Sequence, residues 1–278
     1  MVNESCTASP TAKRARCCGL LALVGLLLPA GALAQTHPLA DTGQVICYND
    51  SASTGTVSAG TPNPVQAGFE GQDCVRGAAA ADAVGAMYKL GGSTRPGADY
   101  TKIANDGSDL PADAALGSGP GDWACTRDNV TGLTWEVKVN HTVNVRHQHH
   151  TYRWYDTDAN VNGGNSGYIG DGFNCNNTLT RCNTTAFRDA VNAAGLCGAN
   201  DWRLPTTDEL QSLVHYGRSS GARIDTAWFP NSPAADFWSG QNYAPNALTA
   251  WRVSFAEGLV STNTKDNLRR VRLVRGGQ

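Results

Sequence analysis

The sequence predicts an α+β fold: a twisted antiparallel sheet with two helices and long loops, stabilised by disulfides. Three observations support this prediction. Short stretches of alternating apolar residues flank two amphipathic helical patterns, in the order strand, helix, helix, strands. All seven tryptophans lie between residues 123 and 251, where they can build one compact core. An even number of cysteines remains once a predicted leader is removed.

The first 34 residues predict a secretory signal peptide. Basic residues at positions 13, 14 and 16 precede an apolar run from Leu20 to Leu28, and Ala32 and Ala34 follow at the spacing of a cleavage site. The apolar run is too short to span a bilayer. We therefore expect an exported mature chain without a membrane span, located in the periplasm, on the outer surface or outside the cell.

The cysteines of the mature chain predict disulfide bonds, because an even number in an exported chain is typical of a disulfide-stabilised fold. Sequence alone does not choose among the pairings, although Cys175 and Cys182 are spaced to close a short loop. No C-x-x-C pair occurs, so a zinc site is not expected. The cysteines concerned are Cys47, Cys74, Cys125, Cys175, Cys182 and Cys197.

The mature chain is slightly acidic. Without the three basic residues and the one acidic residue of the predicted leader, 22 basic and 24 acidic residues become 19 and 23. This balance disfavours a nucleic-acid partner. The C-terminal part differs, because basic residues outnumber acidic ones between positions 252 and 275; they are Arg252, Lys265, Arg269, Arg270, Arg272 and Arg275.

Composition divides the mature chain into two parts. Residues 35–120 are rich in Gly, Ala, Ser, Thr and Pro and show little periodicity, which predicts a loop-rich N-terminal segment. Residues 121–278 contain all the tryptophans and predict the folded domain. Near its start, Leu133, Trp135 and Val137 alternate with polar residues, which predicts a half-buried strand.

Two helices follow this strand. Residues 185–194 place apolar side chains on one face of the first helix. The second helix begins after Thr206, whose side chain can cap it while Glu209 completes a capping box. The preceding stretch WRLP (202–205) predicts a rigid frame for this helix rather than a binding site, because its apolar side chains pack and its proline fixes where the helix starts.

Short strands complete the predicted sheet. They are Phe237–Ser239, Ala250–Phe255 and Leu268–Val274. In the second of these, Trp251, Val253 and Phe255 share one face. In the last, apolar and basic residues alternate, which predicts an apolar inner face and a basic outer face.

Six motifs appear in a fixed order along the domain. They are DWACTRDNVTGLTWEVK (122–138), YRWYD (152–156), AVNAAGLCGANDWRLPTTDELQSLV (190–214), DFWSG (236–240), AWRVSFAEG (250–258) and VRLVRGG (271–277). This series resembles the C-terminal domain of the Legionella collagen-like protein, which represents a widespread bacterial family. The segment HPLADTGQVICYND (37–50) is similar to the leader that often precedes that domain.

The resemblance implies a C-type-lectin-like fold, related in shape to the formylglycine-generating-enzyme group. It also implies binding to sulfated polysaccharides and a role in adhesion. The chain lacks the collagen repeat that trimerises the relative. The resemblance therefore carries no expectation about oligomerisation.

The leading hypothesis is a secreted or cell-surface binding module, or adhesin, for sulfated or acidic glycans. The alternative is a structural or protein-binding component of a cell-surface or pilus-like assembly, which an exposed aromatic patch among Trp154, Trp228 and Trp238 would favour. No enzyme activity is expected. GRSSG (217–221) matches a nucleophile motif, but it follows a helix end instead of a strand.

The C-terminal basic residues are the predicted glycan site: Arg252, Lys265, Arg270 and Arg272. Guanidinium groups match sulfate or carboxylate groups with two parallel hydrogen bonds. The alternative interpretation is an ordinary solvated strand face with local salt bridges.

Two further stretches indicate metal chemistry. Alternating oxygen side chains in a Gly-rich loop predict a calcium site at Asp156, Asp158, Asn160 and Asn162, with a loop of Asx turns as the alternative. The pattern does not fit an EF-hand, because Val161 stands where that loop requires glycine. A His-rich stretch (141–150) matches the composition of transition-metal sites, although histidines on a polar loop usually bind none.

Overall fold

The computed structural model describes residues 98–277, together with the backbone of two short strands, β1 (Ile46–Tyr48) and β2 (Ser53–Thr56). These two strands pair antiparallel. The predicted signal peptide (1–34), Cys74 and the side chain of Cys47 lie outside the described residues.

A five-stranded antiparallel sheet forms one layer of the domain. Its strands are β3 (Tyr100–Ala104), β4 (Asp109–Leu110), β5 (Trp123–Asp128), β6 (Leu133–Glu136) and β10 (Val274–Gly276), in the order β10-β6-β5-β3-β4. Strands β3 and β4 precede residue 120, so the sheet includes part of the segment predicted to be loop-rich. Composition gave no sign of them because they are short and lie among glycines and alanines.

A second antiparallel sheet contains three strands in chain order: β7 (Asp236–Asn242), β8 (Thr249–Ser254) and β9 (Val260–Thr264). The first two correspond to predicted strands. The predicted strand at 268–274 differs, because residues 269 and 270 make only single bridges, to Tyr152 and Phe237, and the regular strand β10 begins at Val274.

Two helices connect the sheets. Helix α1 (Thr184–Ala193) is capped by the Asn183 side chain, which accepts from the backbone N–H of Ala186. Helix α2 (Thr207–Ser212) begins with the predicted capping box between Thr206 and Glu209. Before α2, Trp202 (1% exposed) and Pro205 are buried in the core, whereas Arg203 and Leu204 are partly exposed.

The fold class is confirmed: the domain is α+β, with two antiparallel sheets, two helices and disulfides. One disulfide joins Cys125 to Cys197 and the other joins Cys175 to Cys182. Likeness to C-type lectins stays a prediction. Among the residues that the structure describes, no helix is both long and apolar enough to cross a bilayer.

Candidate functional site

The predicted glycan-binding residues do not form an exposed basic face. Lys265 and Arg272 are both 0% exposed, so neither side chain is accessible at the surface. Arg272 donates from Nη1 to the carbonyl of Glu136 (3.1 Å), and its guanidinium lies 5.1 Å from the Phe229 ring centroid. The prediction assumed that alternate residues of one strand face solvent. Residues 270–273 instead hydrogen-bond to a strand of each sheet: the carbonyl of Arg270 accepts from the N–H of Trp238 (2.9 Å), and the carbonyl of Leu273 accepts from the N–H of Glu136 (3.0 Å).

The other two predicted residues are partly buried and already engaged. Asp236 forms ion pairs with both Arg252 and Arg269. Arg270 donates from Nε to the carbonyl of Gln148 (3.1 Å). The structure therefore places these arginines in local salt bridges and hydrogen bonds, as the alternative interpretation expected.

Arg272 belongs to a buried cluster of three bases around one acid. Glu136 is 0% exposed, and its Oε1 lies 3.0 Å from Nζ of Lys138. Arg146, also buried, donates from Nη1 to the carbonyl of Val137 (2.9 Å). Burial lowers the pKa of Lys138 to about 8 and that of Arg272 to about 10, and it lowers the pKa of Arg146, while Glu136 opposes all three shifts. These four charged side chains contact protein atoms rather than solvent, and they contribute to the packing of the core.

The predicted calcium loop is closed by its own hydrogen bonds. Oδ1 of Asp156 accepts from the N–H of Asp158 (2.8 Å), and Oδ1 of Asp158 accepts from the N–H of Asn160 (2.9 Å). Oδ1 of Asn162 accepts from the N–H of Gly164 (2.8 Å). These are Asx turns. One oxygen of each of these three side chains is thus already used by the loop backbone.

A buried ammonium lies inside this loop. Nζ of Lys265 donates to the carbonyls of Asn162 (2.8 Å) and Asn165 (2.6 Å), and it lies 4.1 Å from the Trp154 ring centroid. Burial lowers the pKa of Lys265 to about 8, an effect that Asp156 opposes. The lysine therefore supplies positive charge where carbonyl oxygens gather, as a hard cation would.

The geometry of these two stretches does not identify a metal site. In the part of the chain that the structure describes, no group of three or more His, Cys, Asp or Glu side chains is arranged to hold a metal ion. Calcium binding at Asp156, Asp158, Asn160 and Asn162 stays a prediction, as does transition-metal binding by the His-rich stretch.

The His-rich stretch folds into a turn in which the ring of His147 packs edge-on against that of His149 and tilted against that of His150. The ring centroid of His147 lies 5.4 Å from that of His149 and 4.9 Å from that of His150. His147 and His150 are buried, whereas His149 is exposed. Burial lowers the pKa of both buried rings, and the positive charge of Lys138 lowers them further. The folded chain therefore favours the neutral form of these two rings.

We expect the stability of the domain to fall as the pH drops below about 6.5, the ordinary histidine pKa. The unfolded chain then binds protons at His147 and His150 more tightly than the folded chain does. Replacing both by glutamine should reduce the loss of stability between pH 7 and pH 5, which thermal unfolding measures as a smaller fall in the unfolding midpoint over this range. His149→Gln is the matched control. Equal pH dependence in the wild type and the double variant would contradict this expectation.

A groove between α2 and the β8–β9 hairpin exposes aromatic surface. Trp251 in β8 is partly exposed, whereas the other six tryptophans are at most 4% exposed. The groove has a volume of about 570 Å³, within the range of about 300–1,000 Å³ that is usual for small-molecule sites. Its walls are lined by Thr207, Asp208, Gln211, Tyr216, Gln241, Trp251, Gly258, Leu259 and Val260.

The polar side chains of the groove are held in fixed orientations. Oε1 of Gln241 accepts from the backbone N–H and the hydroxyl of Thr207 (2.7 and 2.6 Å), which leaves its NH₂ group to the groove. Nε2 of Gln211 donates to the hydroxyl of Tyr216 (2.9 Å), which leaves its carbonyl oxygen as an acceptor. Among the lining residues, Asp208 alone carries a charge. The groove therefore offers neutral donors and acceptors beside an aromatic surface.

The alternation of apolar residues along the chain did not predict this groove. It placed Trp251 on one strand face with Val253 and Phe255, and the structure shows the latter two at 0% and 1% exposure. Trp251 lies nearer the free end of the hairpin, where Tyr243 packs edge-on against it with ring centroids 5.2 Å apart. No signal in the sequence separates this tryptophan from the six buried ones.

Comparison with known proteins identifies the domain. The sequence model of the Lcl C-terminal domain family matches residues 124–275, which confirms the resemblance seen in the sequence. No curated protein and no solved structure matches the chain. Both helices and every residue that lines the groove lie inside the matched range.

Proposed function

Because the chain belongs to the Lcl C-terminal domain family, we propose that it is a secreted or cell-surface binding module whose glycan site is the groove between α2 and the β8–β9 hairpin. The family and the two disulfides fit a surface-associated, exported protein. The observation that carries the proposal is the partly exposed Trp251 beside two oriented amide side chains.

This combination suits a sugar ring. One face of a pyranose presents C–H groups, and the face of an indole carries the negative part of its quadrupole, so the two attract while both leave water. Amide groups donate to and accept from hydroxyls without requiring charge. Since the groove contains one carboxylate and no base, it favours neutral glycans over sulfated ones.

A second function is favoured by one exposed side chain. Phe173 is 85% exposed, and its backbone N–H donates to Asp171 (3.0 Å) two residues before the Cys175–Cys182 disulfide. A rigidly presented aromatic residue is typical of a protein-binding surface. The aromatic patch predicted from Trp154, Trp228 and Trp238 gives no such support, because all three are buried.

A glycan array with neutral, carboxylated and sulfated members tests the proposal. We expect the chain from residue 35 onwards to bind neutral members with little dependence on salt, because an uncharged contact is not screened. Salt-sensitive binding confined to sulfated members would contradict the groove as the site. Binding that requires calcium would indicate that the Asp156 loop contributes to the glycan site. If the chain binds no member of the array, a protein partner that binds at Phe173 would be favoured.

A further inference from the structure

A second, smaller cavity lies on the other side of the segment that borders the groove. Its volume is about 220 Å³, below the usual range for drug-sized ligands and suited to a single small group. It is lined by Trp154, Tyr155, Asp156, Val161, Thr184, Arg188, Arg203, Leu204 and Gly240.

One short ridge separates the cavity from the groove. On one chain segment, Leu204 lines the cavity and Thr207 lines the groove. On β7, Gly240 lines the cavity and the next residue, Gln241, lines the groove. The two segments are joined by hydrogen bonds, since the N–H of Gly240 donates to the carbonyl of Pro205 (2.7 Å). A ligand that leaves the groove across this ridge would meet the cavity.

Most polar groups around the cavity are occupied. Arg203 pairs with both carboxylate oxygens of Glu209 (2.7 Å each). The hydroxyl of Thr184 donates to the carbonyl of Tyr155 (2.8 Å) and accepts from its N–H (2.9 Å). These groups fix the walls and have little capacity left for a ligand.

Asp156 and Arg188 differ from the other polar residues. Nη1 of Arg188 lies 4.0 Å from Oδ2 of Asp156, which is too far for a hydrogen bond between them. The other nitrogens of Arg188 contact Asp189 (2.9 Å), and the other oxygen of Asp156 accepts from Asp158. Within the described residues, no hydrogen bond engages Nη1 of Arg188 or Oδ2 of Asp156.

We infer that this cavity is a second sugar subsite, in which one ligand hydroxyl accepts from Arg188 and donates to Asp156, so that the ligand is a neutral oligosaccharide of at least two residues. The inference rests on the proposed glycan function of the groove. A hydroxyl both donates and accepts, so it satisfies the two groups together. Since Asp156 and Arg188 together carry no net charge, they give no net attraction to an anion or a cation, which favours a neutral polyol.

Binding measured against neutral array glycans of one to four sugar residues tests the subsite. We expect the wild type to bind di- and trisaccharides about tenfold more tightly than the monosaccharide, because hydrogen bonds to charged groups are strong. Asp156→Asn and Arg188→Gln should each lose this gain and keep the monosaccharide affinity. Asp113→Asn, an exposed carboxylate that lines neither the cavity nor the groove, is the matched control and should behave as the wild type.

The outcomes separate the subsite from the groove. Suppose that Asp156→Asn and Arg188→Gln still bind longer glycans more tightly than the monosaccharide, while Trp251→Ala loses all binding. The groove is then supported as the glycan site, and the second subsite is overturned. If the wild type binds no member, or if Trp251→Ala binds as the wild type does, the proposed function fails and the subsite fails with it. Thermal unfolding of each variant shows whether a lost affinity reflects a lost fold.

Discussion

Replacing Glu136 by glutamine is expected to destabilise the domain by about 3–5 kcal/mol, because it removes the one acid of a buried cluster and leaves its bases uncompensated. Glu136 lies 3.0 Å from Lys138, and its charge also raises the pKa of Arg146 and Arg272 against burial. Glutamine keeps the shape and loses the charge. Urea unfolding at pH 7 measures the change, with exposed Glu257→Gln as the matched control.

The pH dependence of the stability of the Glu136→Gln variant provides a second test of the role of Glu136. The folded pKa of Lys138 is lowered by burial to about 8, below its ordinary value, so the unfolded chain binds this proton more tightly between about pH 8 and 10.5. The contribution of Lys138 to the free energy of unfolding therefore rises with pH across that window. Without Glu136 the folded pKa falls further, and the rise should begin at lower pH. A variant as stable as the wild type would contradict the role given to the cluster.

Loss of the Cys125–Cys197 disulfide is expected to cost about 4 kcal/mol, on the chain-entropy account of a cross-link that closes a loop with a sequence separation of 72. This bond ties β5 to the turn after α1, and both sulfurs lie in the core. The Cys125→Ala/Cys197→Ala variant should therefore unfold at much lower denaturant concentration than the oxidised wild type.

The Cys175–Cys182 disulfide supplies the comparison. Its sequence separation is 7, for which the same account gives a smaller loss, about 2 kcal/mol. Denaturant unfolding of the two double-alanine variants tests the order of the effects. A larger loss from the short loop than from the long one would contradict the entropic explanation.

The sequence predicted the frame of the domain well, because local chemistry determines it. The capping box of Thr206 and Glu209 needs only a spacing of three residues, and the structure contains it. The ordered motifs also identified the family. Strand β3 was missed because its five residues carry too few alternating positions to stand out among the surrounding small residues.

The sequence did not predict the burial of Arg272 and Lys265, because that burial depends on tertiary structure. Alternation along residues 268–274 placed Arg272 on an outer face, but its guanidinium lies against the rings of Phe229 and Phe237 and donates to the carbonyl of Glu136, so it is part of the core. Lys265 likewise is 0% exposed because the Asp156 loop folds over it. No local pattern reports which elements from elsewhere in the chain will cover a basic side chain. For the same reason, the sequence did not predict that Trp251 is partly exposed.

The central claim is that ligand binds at the Trp251 groove and not at the C-terminal arginines. Isothermal titration of the tightest array glycan into Trp251→Ala and Arg270→Ala tests it most directly, with the unfolding midpoint of each variant measured in parallel. We predict that Trp251→Ala loses at least about tenfold in affinity while Arg270→Ala binds as the wild type does. The opposite result, with binding lost in Arg270→Ala and kept in Trp251→Ala, would contradict the account.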